Sequence, residues 1–118
     1  MDVATKIINE TMRIGGEKVD GPAGRIDVMN PYTNEVVGTI PRASREQVRK
    51  AFDIAAAYTP TLTRYERQQI LAKAAELIVD RRDEISDLIT AECGLSKKDS
   101  LYEVGRAFDV FTLTAQLC

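Results

Sequence analysis

Histidine is missing from this 118-residue chain altogether. That excludes, from within the chain, every catalytic scheme that needs an imidazole base and every metal site that needs a histidine ligand. Tryptophan is also missing, and only two cysteines occur, Cys93 and Cys118. Their number and spacing match no disulfide framework or zinc pattern, so free thiols are expected. With 4 prolines, 7 glycines, 44% apolar and 29% charged residues, the chain is neither fibrous nor disordered in composition. No run of roughly 18 apolar residues is present, so nothing is expected to span a membrane. Neither sign of charge dominates: 16 Lys and Arg against 18 Asp and Glu give a net charge of −2. A basic field that would attract nucleic acid is therefore absent. The Lys-, Glu- and Ala-rich composition and the lack of a signal peptide imply a cytoplasmic protein, in which the sequon Asn9-Glu10-Thr11 has no meaning. The length suits one domain.

What is present changes character near Pro41. Before it lie most of the turn signals: Gly15-Gly16, Asp20-Gly21-Pro22, Gly24, Asn30-Pro31 and Asn34. Short β-like runs separate them. Arg13-Ile14 and Lys18-Val19 flank the Gly-Gly pair, Ile26 and Val28 alternate with polar residues, and Val36 to Ile40 stops at Pro41, which predicts two small ribbons. After Pro41 the apolar period becomes helical, with Val48, Ala51, Phe52, Ala55 and Ala56 on one face. Ser44 with Gln47, and Thr63 with Glu66, form capping-box signatures that open a first and a second helix. Only the charged run Asp80-Arg81-Arg82-Asp83 separates the second helix from a third, which Gly94 terminates. Ser96 with Asp99 opens a fourth helix through Leu101, Val104, Phe108, Phe111 and Leu117. Its second half is apolar nearly all round, so further polypeptide or another copy of the chain is expected to cover it. The chain ends there without a cap, as if cut within an element. The fold class is α+β and helix-dominated: two short ribbons followed by about four helices.

The run Asn30-Pro31-Tyr32-Thr33-Asn34-Glu35-Val36-Val37-Gly38-Thr39-Ile40-Pro41, followed by an Ala-rich helix, resembles the amino-terminal segment of the aldehyde dehydrogenase superfamily. Arg67 to Leu71, Arg82 to Gly94 and Glu103-Val104-Gly105-Arg106 continue the resemblance in order and spacing. Within the superfamily, Leu62 to Gln68 and Asp99 to Phe111 are most similar to phosphonoacetaldehyde dehydrogenases. Enzymes acting on glyceraldehyde 3-phosphate or lactaldehyde carry similar segments. The resemblance implies a flexible amino terminus over residues 1–11, then an incomplete amino-terminal part of an α/β cofactor-binding domain over residues 12–118. It implies a parent enzyme in which a cysteine thiolate attacks a small aldehyde, hydride passes to NAD or NADP, and a thioester is hydrolysed to the acid. The apolar face of the fourth helix leads to the further expectation of a homo-oligomer. The family's nucleophile, general base and nicotinamide-binding residues lie downstream, so neither catalytic nor cofactor-binding residues are expected here, nor a metal site, and the chain alone is expected to be inactive.

The tempting sites in the chain fail on chemistry. Gln116-Leu117-Cys118 repeats the family's Gln-x-Cys, yet it falls at the end of an apolar helix where packing is expected. Cys93 sits at a helix carboxyl end, which is not where a nucleophilic thiolate is favoured. Gly15-Gly16 belongs to no G-x-G-x-x-G, and Pro22 stands where a phosphate loop needs lysine. Arg106 remains. One reading pairs it within the helix with Glu103 or Asp109. The other, implied by the resemblance, sets it in the substrate tunnel, where a guanidinium fork matches a phosphate or phosphonate. Tyr102, one turn earlier, shares that face, and Phe108 and Phe111 are candidates for the same tunnel. A rival to the enzyme reading is a non-catalytic helical fragment that pairs with itself or with a full-length subunit.

Overall fold

The computed structural model describes residues 7–118. In place of one core, the chain divides into two compact units at Thr59/Pro60.

Among its described residues the first unit holds five strands and one helix: β1 (Ile8–Asn9), β2 (Met12–Ile14), β3 (Glu17–Val19), β4 (Arg25–Met29), β5 (Val36–Pro41) and α1 (Arg45–Ala57). The β2–β3 hairpin turns through Gly15 and Gly16, at φ 62° and 85°. Two successive positive-φ residues match the right-handed twist of the flanking strands, which is why glycines stand there. The second ribbon, β4 antiparallel to β5, is closed by Asn30, whose Oδ1 accepts from the N–H of Tyr32 and Thr33 at 2.9 and 3.1 Å. Val28 pairs with Gly38 and Met29 with Val36, so Val37 is the extra residue of a bulge. It is also buried.

Ile8–Asn9, within the stretch expected to be flexible, runs parallel to β5 and makes that ribbon three-stranded. Residues 1–6 of the same expectation lie outside the described residues. Gly38 permits the approach, because a Cβ there would stand 2.9 Å from the Ile8 carbonyl oxygen. Arg25 then ties the three strands. Its Nε donates to Thr39 Oγ1 at 2.8 Å, and Nη2 donates to the carbonyls of Glu10 and Thr39 at 2.8 and 3.2 Å. Thr39 Oγ1 in turn donates to Asn9 Oδ1 at 2.7 Å. α1 starts on the full Ser44–Gln47 capping box. Of its apolar face, Phe52 is left 72% exposed.

The second unit is α2 (Arg64–Asp80), α3 (Arg82–Cys93) and α4 (Lys97–Leu117). Thr63 and Glu66 complete the capping box that opens α2. The break between α2 and α3 falls on Arg81, at φ −104° and ψ 16°, and its guanidinium grips both oxygens of Glu84 at 2.6 and 2.8 Å. Gly94 ends α3 in the left-handed region at φ 74°, and Ser96 caps α4. α4 is the element against which α2 and α3 pack. The buried positions are mostly small: Ala75, Ser86, Ser100, Val104 and Ala115. Small side chains let the helices approach closely but remove little apolar surface from water. Val110, Leu113 and Leu117 of α4 and Ile70 of α2 accordingly remain exposed. No helix among the described residues is long and apolar enough to cross a membrane.

Candidate functional site

Tyr102 and Arg106 lie four residues apart on α4, so both side chains stand on one helix face. Both are exposed, and with Leu101, Gly105, Phe108 and Asp109 they line an open groove of about 410 Å³. Phe111, the other aromatic candidate, does not line it. The competition for Arg106 is resolved towards the amino-terminal carboxylate. Its Nη1 donates to Glu103 Oε1 and Oε2 at 3.1 and 3.2 Å, while Asp109 forms no ion pair with it among the described residues. With 62% of the Arg106 side chain and 42% of the Glu103 side chain exposed, the pair contributes only a few tenths of a kcal/mol. Gly105 was not evident as a site residue from the sequence. It lines this groove and also a second one of about 220 Å³ beside Ile78, Val79 and Arg82. The available signal was a glycine inside a helical period, which costs about 1 kcal/mol against alanine.

The other candidates lie outside this groove. Cys93 is exposed, and its Sγ–H is spent on the Ile89 carbonyl at 3.0 Å. Cys118 follows the last residue of α4, and both thiols are free. Among the described residues no three or more carboxylates and cysteines gather as metal ligands. Gly15-Gly16 turns a hairpin rather than opening a helix, and Ser44, Thr63 and Ser96 each accept one backbone N–H at the amino ends of α1, α2 and α4. The perturbed titrating groups lie at helix ends and on solvated helix faces, outside the groove. Hydrogen bonds from the Thr63 N–H and hydroxyl hold Glu66 below the ordinary carboxylate range, and the Arg81 guanidinium does the same for Glu84. Glu76 raises Lys73. Asp83 and Asp87, also without assigned chemistry, receive Lys97 at 3.8 and 2.6 Å.

Residues 18–118 match the sequence profile of the aldehyde dehydrogenase family. The chain belongs to this family. As an aldehyde dehydrogenase segment it is 31% identical over 117 residues to 3-sulfolactaldehyde dehydrogenase of Priestia aryabhattai, covering 98% of this chain and 24% of that protein. It is 36% identical over 93 residues to lactaldehyde dehydrogenase of Methanococcus aeolicus, covering 76% of this chain and 20% of the relative. The crystal structure of aldehyde dehydrogenase 21 from Physcomitrella patens, in complex with the reaction product succinate, superposes with a TM-score of 0.87 at 32% identity, over 93% of this chain and 24% of that one. An NAD-dependent aldehyde dehydrogenase from Sinorhizobium meliloti superposes at 0.81 and 30% identity, over 95% and 24%. The α+β arrangement of short strands and four helices is thus that of part of an aldehyde dehydrogenase cofactor-binding domain. The aldehyde dehydrogenase segment spans about a quarter of the length of the curated relatives it matches.

Proposed function

We propose that the whole protein is an NAD- or NADP-dependent dehydrogenase that oxidises a small anionic aldehyde, phosphonoacetaldehyde or a close analogue, to the acid. In this reading residues 12–118 form the amino-terminal part of its cofactor-binding domain, in a cytoplasmic homo-oligomer. The chain supplies scaffold and one substrate contact, Arg106, with Tyr102 beside it. The observation that carries the reading is the placement of Arg106 in an open groove, with Glu103 engaging only Nη1. A guanidinium so held keeps two further donor groups, in a planar fork that matches a phosphonate, sulfonate or carboxylate. Relatives named for 3-sulfolactaldehyde, glutarate semialdehyde and malonate semialdehyde support an aldehyde carrying a remote anion. The lactaldehyde dehydrogenase relative supports the second reading, an uncharged hydroxyaldehyde, in which Arg106 has no anion to meet. Arg106→Ala in the full-length enzyme decides between them. A charge-assisted contact predicts a rise in KM of roughly 10- to 100-fold for phosphonoacetaldehyde, with little change for propionaldehyde. Equal effects on the two aldehydes overturn the anchor.

A further inference from the structure

Arg106 stands between two carboxylates on its own helix, Glu103 and Asp109, and pairs with one of them. An anion approaching that guanidinium can bind side-on only through a donor edge that neither carboxylate occupies. The contact with Glu103 is of a form that leaves such an edge. Both carboxylate oxygens converge on the single nitrogen Nη1, at 3.1 and 3.2 Å, and Nε and Nη2 carry no hydrogen bond among the described residues. Nε–H and Nη2–H together are one of the two edges through which a guanidinium binds an oxyanion side-on. Gly105 lines the same groove without adding a side chain to it, and a Cβ there would meet nothing within 4 Å apart from its neighbours in the chain and the adjoining helix backbone.

From this geometry, and resting on the anchor role proposed for Arg106, we infer that Glu103 is a positioning residue. It fixes the guanidinium through Nη1 and reserves the Nε–Nη2 edge for the substrate's anionic group. Its value lies in the rotamer it removes from a long side chain before the substrate arrives, not in the stability of an exposed pair. No contact between Glu103 and the substrate is required.

The test compares KM and kcat of the full-length enzyme for phosphonoacetaldehyde and for propionaldehyde in Glu103→Ala, Glu103→Gln and Arg106→Ala. Glu103→Ala is expected to raise the phosphonoacetaldehyde KM, relative to that of propionaldehyde, by roughly 3- to 10-fold, the factor for leaving one rotamer-rich side chain unfixed. Its kcat on phosphonoacetaldehyde stays near wild type. Glu103→Gln keeps an acceptor for Nη1 and drops the negative charge, so it is expected to restore the ratio to the wild-type value or below. A fall in the ratio for both Glu103 variants would show that Glu103 competes with the substrate, and overturns the inference. So does an unchanged ratio in Glu103→Ala when Arg106→Ala shows its selective effect, because the anchor then stands without a positioning residue. If Arg106→Ala shows no selectivity, the anchor itself has failed, and the inference with it.

Discussion

Ser86 Oγ and Ser100 Oγ lie 2.6 Å apart between α3 and α4, and both side chains are wholly buried. Ser100 donates its one hydroxyl proton to the Lys97 carbonyl at 3.1 Å and accepts from Thr90 Oγ1 at 3.2 Å. In the 2.6 Å contact Ser86 is therefore the donor, and Ser100 becomes a hub with one donated and two accepted bonds. No buried side-chain polar atom is left unpartnered among the described residues. A buried polar junction in a unit with so little buried apolar surface contributes to holding α4 against α3.

Removing the hub leaves two donors without an acceptor. Ser100→Ala is expected to destabilise the protein by about 1–3 kcal/mol, read from the midpoint of urea unfolding. Ser86→Ala removes a donor and leaves Ser100 with its other two bonds, so it costs less. The double variant is expected to cost less than the sum of the two singles, as a direct pair requires. Strict additivity contradicts the pairing.

Arg25 is the corresponding tie in the first unit. Arg25→Lys keeps the charge but cannot reach Thr39 Oγ1 and the carbonyls of Glu10 and Thr39 together, since an ammonium lacks the planar fork. The expected result is faster amide exchange at Glu10, whose N–H bonds the Thr39 carbonyl at 3.1 Å, with α2 to α4 unaffected.

The α2 cap carries a pH dependence. Glu66 is held below the ordinary carboxylate range by Thr63, so its folded pKa lies under its unfolded one. Its contribution is then present above the unfolded value, about 4.3, and is lost as pH falls through the depressed folded value. Thr63→Ala removes the hydroxyl, one of the two causes of this shift. It is expected to cost about 1 kcal/mol at neutral pH, and to move the Glu66 carboxyl titration, followed by NMR, back towards the ordinary range. An unmoved titration contradicts the capping contact.

Gly105 tests the openness of the groove. Gly105→Ala meets nothing within 4 Å apart from its chain neighbours and the adjoining helix backbone and gains helix propensity, so it is expected to raise the stability of the 118-residue chain by about 1 kcal/mol. A destabilised variant shows that the space beside Arg106 is filled.

These tests also separate what was legible in the sequence from what was not. The caps at Ser44, Thr63 and Ser96, the Gly15-Gly16 hairpin and the Gly94 stop each depend on residues within a few positions of one another, and local pattern found them all. The pairing of Ile8–Asn9 with β5 spans about 30 residues and uses a parallel register that no local alternation announces. Ser86 and Ser100 are 14 residues apart and individually ordinary, so their junction exists only once α3 and α4 pack. At the candidate site the sequence named Arg106 and both carboxylate rivals, because all three fall on one helical period. Which carboxylate it pairs with is a matter of rotamer, and the opening at Gly105 is a matter of what surrounds the helix, and neither is encoded in spacing.

The proposed dehydrogenase role requires that residues 1–118 be part of a longer polypeptide, about four times this length in its relatives. The most direct measurement is the intact mass, in source cells, of the polypeptide that yields the tryptic peptide Asp99–Arg106. Because the chain covers 24% of its relative, the expected mass is roughly fourfold above 13.1 kDa. A native polypeptide of 13.1 kDa would contradict it.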